Sequence, residues 1–168
     1  MEFVARVSKR LTDTDPMKIV QGDLIALALS GHFDVIIHGC NCDCVMGAGI
    51  ARSIREQFPE AYAADVKTKA GDTSKLGTYT AASCSRGAYE IMVVNAYTQA
   101  HPSGAGVLVS YESVRSVMQL IKQNFSGRRI AYPKIGAGLA RGDWSVIARI
   151  ITDELCGEDH TLVEYSPA

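Results

Sequence analysis

Hydrophobic positions along this chain follow two periods in turn, a period of two over short stretches and one near 3.6 over longer ones. Asp34, Val35, Ile36, Ile37 and His38 form a compact apolar run of the kind buried in a central sheet. Residues 18–20 predict a shorter strand before it, followed by a helix over 23–29 that Asp23 caps. Ile50, Ile54 and Phe58 share one face of a helix over 50–58, which Pro59 interrupts, and 61–69 continues as a second helical piece. Residues 76–82 and 89–96 are rich in β-formers and flank the turn-like Ser85, Arg86 and Gly87, so they predict neighbouring strands. In the helix predicted over 111–124, Val114, Val117, Met118 and Ile121 make an i, i+3, i+4, i+7 stripe. A strand over 130–132, a helix over 144–155 with Ile147, Ile150 and Ile151 inward, and a strand over 161–165 complete the series. Strands alternating with helices predict an α/β fold of three layers, α/β/α, around a parallel or mixed central sheet. In such sheets ligands bind outside the carboxyl ends of the strands.

The 168 residues suffice for one domain with its own core. Thr12, Asp13, Thr14, Asp15 and Pro16 read as a turn, so 1–16 is expected to be an extension or an added edge strand, with the domain proper over 17–168. Met17 offers an alternative start. A net charge of −1 argues against broad, non-specific nucleic-acid binding, yet leaves room for a nucleotide site in which backbone amides hold the phosphates. No apolar run reaches the roughly 20 residues needed to cross a bilayer. Five cysteines, three of them crowded at Cys40, Cys42 and Cys44, suit a reducing cytoplasm better than a disulfide framework. A cytoplasmic monomer without a cofactor is the expectation.

Two glycine-bearing segments follow predicted strands. The first runs from His38 to Ile50 and carries Gly47, Ala48 and Gly49; the second, from Tyr132 to Trp144, carries Gly136, Ala137 and Gly138. Glycine lets backbone approach a ligand closely, and a helix beginning near Gly49 turns free amides and its positive dipole end outward, which suits a phosphate. Each loop alone is also an ordinary strand-to-helix turn; two of them in one small domain point to a two-sided phosphate clamp. Neither is a P-loop, since no Gly-Lys-Ser/Thr ending is present, and no G-x-G-x-x-G follows the first strand.

These residues resemble the macrodomain family. The resemblance is carried by Gln21, Gly22, Asp23 and Leu24, by Asn41 with Met46 through Ala51, and by Pro133 through Leu139 followed by Asp143 and Trp144. It runs from about Met17 to Tyr165. Within the family the chain is similar to the branch holding ADP-ribose-1″-phosphate phosphatases, the terminal ADP-ribose glycohydrolase and a DNA-deribosylating antitoxin. The resemblance implies that ADP-ribose or a derivative is the ligand, alone or attached to a macromolecule. It implies that Asp23 accepts a bond from the adenine amine beside the Leu24 amide, and that Asn41 holds the distal ribose. Gly47, Ala48, Gly49 and Ile50 would wrap the diphosphate on one side, and Gly136, Ala137, Gly138 and Leu139 on the other. Tyr165 either flanks the adenine or belongs to the core.

The reaction is less well marked. Where the glycohydrolase and the antitoxin have a Thr-Lys pair, this chain has Thr98 and Gln99; where the glycohydrolase keeps an acid, it has Ala140. Glutamine cannot act as a cationic nucleophile. The nearest activity is hydrolysis of ADP-ribose 1″-phosphate, with Asn41 orienting the ribose and His101 in reach of a proton-transfer pKa. The alternatives are a reader that binds ADP-ribose without turnover and a hydrolase removing it from a macromolecule. His101 is otherwise an exposed loop histidine, Asp43 either a catalytic carboxylate or a local turn former, and Asp143 a helix cap. The alternation of His38, Cys40, Cys42 and Cys44 invites a metal, but zinc usually wants two-residue gaps and a second ligand cluster. No metal is expected; small buried cysteines beside the loop are, with Cys84 and Cys156 in the core.

Overall fold

A computed structural model describes residues 16–167; the expected extension or edge strand over 1–16 lies, save for Pro16, outside them. Six strands and five helices follow in the order β1 (Lys18–Gly22), α1 (Leu24–Leu29), β2 (Val35–Asn41), α2 (Gly49–Gln57), α3 (Pro59–Val66), β3 (Tyr79–Arg86), β4 (Tyr89–Gln99), α4 (Tyr111–Phe125), β5 (Ile130–Tyr132), α5 (Trp144–Glu154) and β6 (His160–Tyr165). They form one mixed sheet in the order β1-β6-β5-β2-β4-β3, in which only the β3–β4 hairpin is antiparallel.

Side-chain alternation along the central strands builds the three layers. Val35 and Ile37 of β2 and Val94 and Ala96 of β4 face Val114, Val117, Met118 and Ile121 of α4 and Ile147, Ile150 and Ile151 of α5. Ile36, Ile91 and Val93 face Leu24, Ile25 and Ala28 of α1, with Ile54, Phe58 and Ala61 beneath α2 and α3. Pro59 opens α3 where its missing N–H costs nothing, so α2 and α3 meet at the buried Phe58.

Two topological features position the site. β2 and β5 are neighbours, but α2 leaves β2 toward one face of the sheet while α5 leaves β5 toward the other. A crevice opens at such a switch point, outside the carboxyl ends of the strands. Moreover β5 stops after three residues, because Pro133 has no N–H to offer the ladder, whereas β2 continues to Asn41 and β6 to Tyr165. The sheet is therefore notched at its centre, on the same edge as the crevice.

The strand predicted over 76–82 begins only at Tyr79. Thr73–Lys75 forms a 3-10 turn and Gly77 adopts φ +79, which β-backbone excludes. β2 and β4 run further than the apolar pattern indicated, through Gly39, Cys40 and Asn41 and through Tyr97, Thr98 and Gln99.

On the α3 side a chain of polar groups crosses the core. His38 Nε2 donates to Asn95 Oδ1 (2.7 Å), and Asn95 Nδ2 donates to the Ala61 carbonyl (2.9 Å) and Thr80 Oγ1 (3.0 Å). Thr80 in turn meets the Tyr97 hydroxyl (2.9 Å), which donates to Asp65 Oδ1 (2.7 Å). Burial raises the Asp65 carboxyl above its ordinary value and presses His38 down to about 4, so the imidazole is neutral in the fold. The unfolded chain thus takes up a proton at His38 first. Its contribution to stability is complete above pH 6.5 and is lost as pH falls toward 4, a span worth about 3 kcal/mol. Denaturant unfolding at pH 7 and pH 4.5 should show that loss in the wild type and a visibly shallower one in His38→Gln. Equal pH slopes would show that His38 is not held neutral.

Candidate functional site

The notch opens into a cleft of two connected halves. The first, about 360 Å³, has Gly39, Cys40 and Asn41 of the overhanging β2 at its base; the second, about 640 Å³, lies beside β6 and the start of α1. Gly49 and Ile50 on one wall and Pro133 and Lys134 on the other line both halves. Their volumes fall in the range of ordinary small-molecule sites.

The first wall is the entry to α2. Ala48 is its N-cap in extended conformation, no side chain caps the helix, and its first turn carries no acid. Among the described residues the amides of Gly47, Ala48, Gly49 and Ile50 meet no protein acceptor. A helix of nine residues with an uncapped start presents its positive dipole end there. Gly49 has φ +56 and open space where a Cβ would stand.

Across the cleft, the second loop folds on itself through Ile135 N to Pro133 O (2.7 Å), Ala137 N to Lys134 O (3.2 Å) and Gly142 N to Gly136 O (2.7 Å). These bonds leave the amides of Gly136, Gly138 and Leu139 without a protein acceptor among the described residues. Gly136 has φ +72, and a Cβ on it would come within 2.6 Å of Val109, so no other residue fits this backbone. Leu108 N donates to Ala140 O (2.9 Å), tying the loop to the segment after β4. Asp143 caps α5, accepting from Ser145 N (2.9 Å).

Asn41 braces the first loop. Its Nδ2 donates to the Val45 carbonyl (2.8 Å), and its Oδ1 accepts from Asp43 N (3.0 Å) and Val45 N (3.3 Å), leaving one N–H for the cavity it lines. Cys44, at φ +59, hands its thiol to the Asp65 carbonyl (3.3 Å), fixing the same turn from behind. At the other end Asp23 caps α1 through Ala26 N (3.0 Å) with one oxygen and lines the second half of the cleft together with Leu24.

Asp23, Leu24, Asn41, Gly47, Ala48, Gly49, Ile50, Gly136, Gly138 and Leu139 therefore converge on one cleft. Ala137 does not line it but packs against the core below. His101 lines neither half: it sits on the rim, half exposed, with Nδ1 2.9 Å from Asp43 Oδ2, next to Gln99 and Pro102, which do line the first half. Tyr165 is 75% exposed and lines the second half, so it is no core residue. Cys40, Cys42 and Cys84 are buried while Cys156 is only partly so, and among the described residues no three His, Cys, Asp or Glu side chains assemble into a metal-holding group. Lys134 and Glu164 were not singled out by sequence reasoning: a lysine after a proline and an acid in a terminal strand carry no local signal.

With this geometry established, comparison with known proteins is direct. Residues 37–151 match the Macro domain family. A relative from Enterobacteria phage T4, an uncharacterized 17.5 kDa protein of the tk-vs intergenic region, is 30% identical over 156 residues, 90% of this chain and 97% of its own. Among solved structures, the macrodomain of DarG from Mycobacterium tuberculosis superposes with a TM-score of 0.69 at 19% identity, over 90% of this chain and 98% of that one. A DarTG protein of Thermosipho africanus, solved in complex with ADP-ribose, gives 0.68 at 18% identity over 93% of this chain and 43% of its own. The chain belongs to the macro domain family. Among the described residues, no helix is long and apolar enough to cross a membrane.

Asn41→Ala should leave the Val45 carbonyl and two loop amides unpaired, lowering stability by about 1–3 kcal/mol. Hydrogen exchange should quicken at the Asp43 and Val45 amides and stay unchanged at Ile37. Unaltered exchange in the loop would mean that Asn41 does not brace it.

Proposed function

We propose that the cleft binds ADP-ribose and that the protein hydrolyses ADP-ribose 1″-phosphate to ADP-ribose and phosphate. The observation that carries the binding half is the set of unpartnered amides facing each other across the notch, on Gly47 through Ile50 and on Gly136, Gly138 and Leu139. The fold spends none of these amides on itself and leaves them open to the cleft, and a diphosphate supplies acceptors to both walls at once. The adenosine then falls in the half beside Asp23 and Leu24, with Tyr165 at its edge, and the distal ribose in the half based on Asn41. The ADP-ribose complex of the Thermosipho africanus neighbour supports the choice of ligand.

For the reaction, the 1″-phosphate extends toward the loop carrying His101. Water attacks phosphorus, the bond from phosphorus to the ribose oxygen breaks, and that oxygen takes up a proton. Asn41 orients the ribose and His101 moves the proton, its Nδ1 bonded to Asp43 so that Nε2 is left for the substrate. Gln99 and Ala140, standing where relatives keep reactive groups, favour a second reading in which the protein recognises free or macromolecule-linked ADP-ribose without turnover. Five unpaired cysteines support a reducing, cytoplasmic setting for either.

Phosphate release from ADP-ribose 1″-phosphate separates the two: release by the wild type that His101→Gln slows at least about tenfold supports the enzyme. No release above a buffer blank, alongside tight ADP-ribose binding in calorimetry, leaves the reader. For either, Gly49→Glu should lower stability by about 1 kcal/mol, because φ +56 strains any side chain, yet still fold, because its Cβ meets nothing within 4 Å. It should weaken ADP-ribose by about a hundredfold or more through bulk and like charge. A folded variant with undiminished affinity would remove the first loop from the site.

A further inference from the structure

Among the described residues, Lys134 is the only lysine, arginine or histidine lining either half of the cleft, and it lines both. It stands opposite Gly49 and Ile50, where the halves join. Its ammonium lies 3.5 Å from Glu164 Oε1, a loose contact, and its side chain is nearly half exposed. Glu164, by contrast, is held tightly. It belongs to β6, pairs in register with Gln21 of β1, and accepts from Gln21 Nε2 at 2.6 Å.

From this asymmetry we propose that Lys134 is a two-position cation: it rests on Glu164 and swings to the ligand's diphosphate when the cleft fills. The inference rests on the ADP-ribose reading above. Glu164 keeps its Gln21 bond when the lysine departs, so the swing strands no carboxylate. Lysine suits the task, being a point charge on a flexible four-carbon stem, whereas the glycine walls supply rigid amides that cannot follow a moving anion. Glu164 is thereby a built-in competitor. It discriminates against ligands that bring too little negative charge to draw the lysine away, and favours those with two adjoining phosphates.

Calorimetry with ADP-ribose and with adenosine, at low and high salt, tests the exchange on wild type, Lys134→Met, Glu164→Gln and the double variant. Lys134→Met should weaken ADP-ribose about tenfold, flatten its salt dependence, and leave adenosine within about twofold of wild type. Glu164→Gln should tighten ADP-ribose about threefold by freeing the lysine, and that gain should vanish in the double variant. Opposite signs from two touching residues, coupled in this way, are not what damage to the fold produces. If wild type binds ADP-ribose and Lys134→Met matches it, or if Glu164→Gln weakens binding, or tightens it equally without Lys134, the exchange is overturned and the clamp stands. If wild type does not bind ADP-ribose at all, the clamp falls and the exchange with it.

Discussion

The cleft exists because β5 ends where it does. Two of its residues pair with β2 and three with β6, and then Pro133 withdraws a donor from the ladder. Had β5 continued beside β2 and β6, its backbone would occupy the space that Gly39, Cys40 and Asn41 now face. The early stop turns a continuous sheet into one with a central notch, and the opposite exits of α2 and α5 leave that notch uncovered.

A notch alone binds nothing. What gives it chemistry is that both chains leaving it run through glycine at positive φ, Gly49 on one wall and Gly136 on the other, exposing amides that regular structure would have consumed. Under the proposed function, this is how a chain with a net charge of −1 would hold an anion. The field comes from oriented N–H groups and one helix end, fixed by the fold and indifferent to pH. The same rigidity needs backing, and each wall has it. Asn41 and Cys44 hold the first loop from within and behind, and Val109 and the Leu108–Ala140 bond press on the second.

The repeating elements were legible in the sequence because their cause is local. The stripe of α4, the Phe58–Pro59 junction and the hairpin turn near Gly87 each follow from spacing or from one residue's backbone preference. Both glycine loops could be read as phosphate-facing, since strand, glycine and helix lie in one short stretch. Strand lengths were not legible where function intrudes. Gly39, Cys40 and Asn41 break the apolar run, though β2 uses all three as ladder and as cavity base. Long-range polar pairings escaped for a related reason: the partner of His38 lies 57 residues away, and that of Lys134 in the last strand. His101 shows the converse, since a suitable side chain in a suitable loop ends on the rim against Asp43, outside the cavity.

The central claim is that two facing backbone walls take a diphosphate between them, and amide-resolved NMR tests it most directly. Titrating ADP-ribose into ¹⁵N-labelled protein should produce saturable shifts at the amides of Gly47, Ala48, Gly49 and Ile50 and of Gly136, Gly138 and Leu139, at one common affinity. The amides at the opposite edge of the sheet, such as Ala88 and Gly127, should stay still. Shifts confined to one loop, or saturable shifts only outside both, would contradict a two-walled clamp.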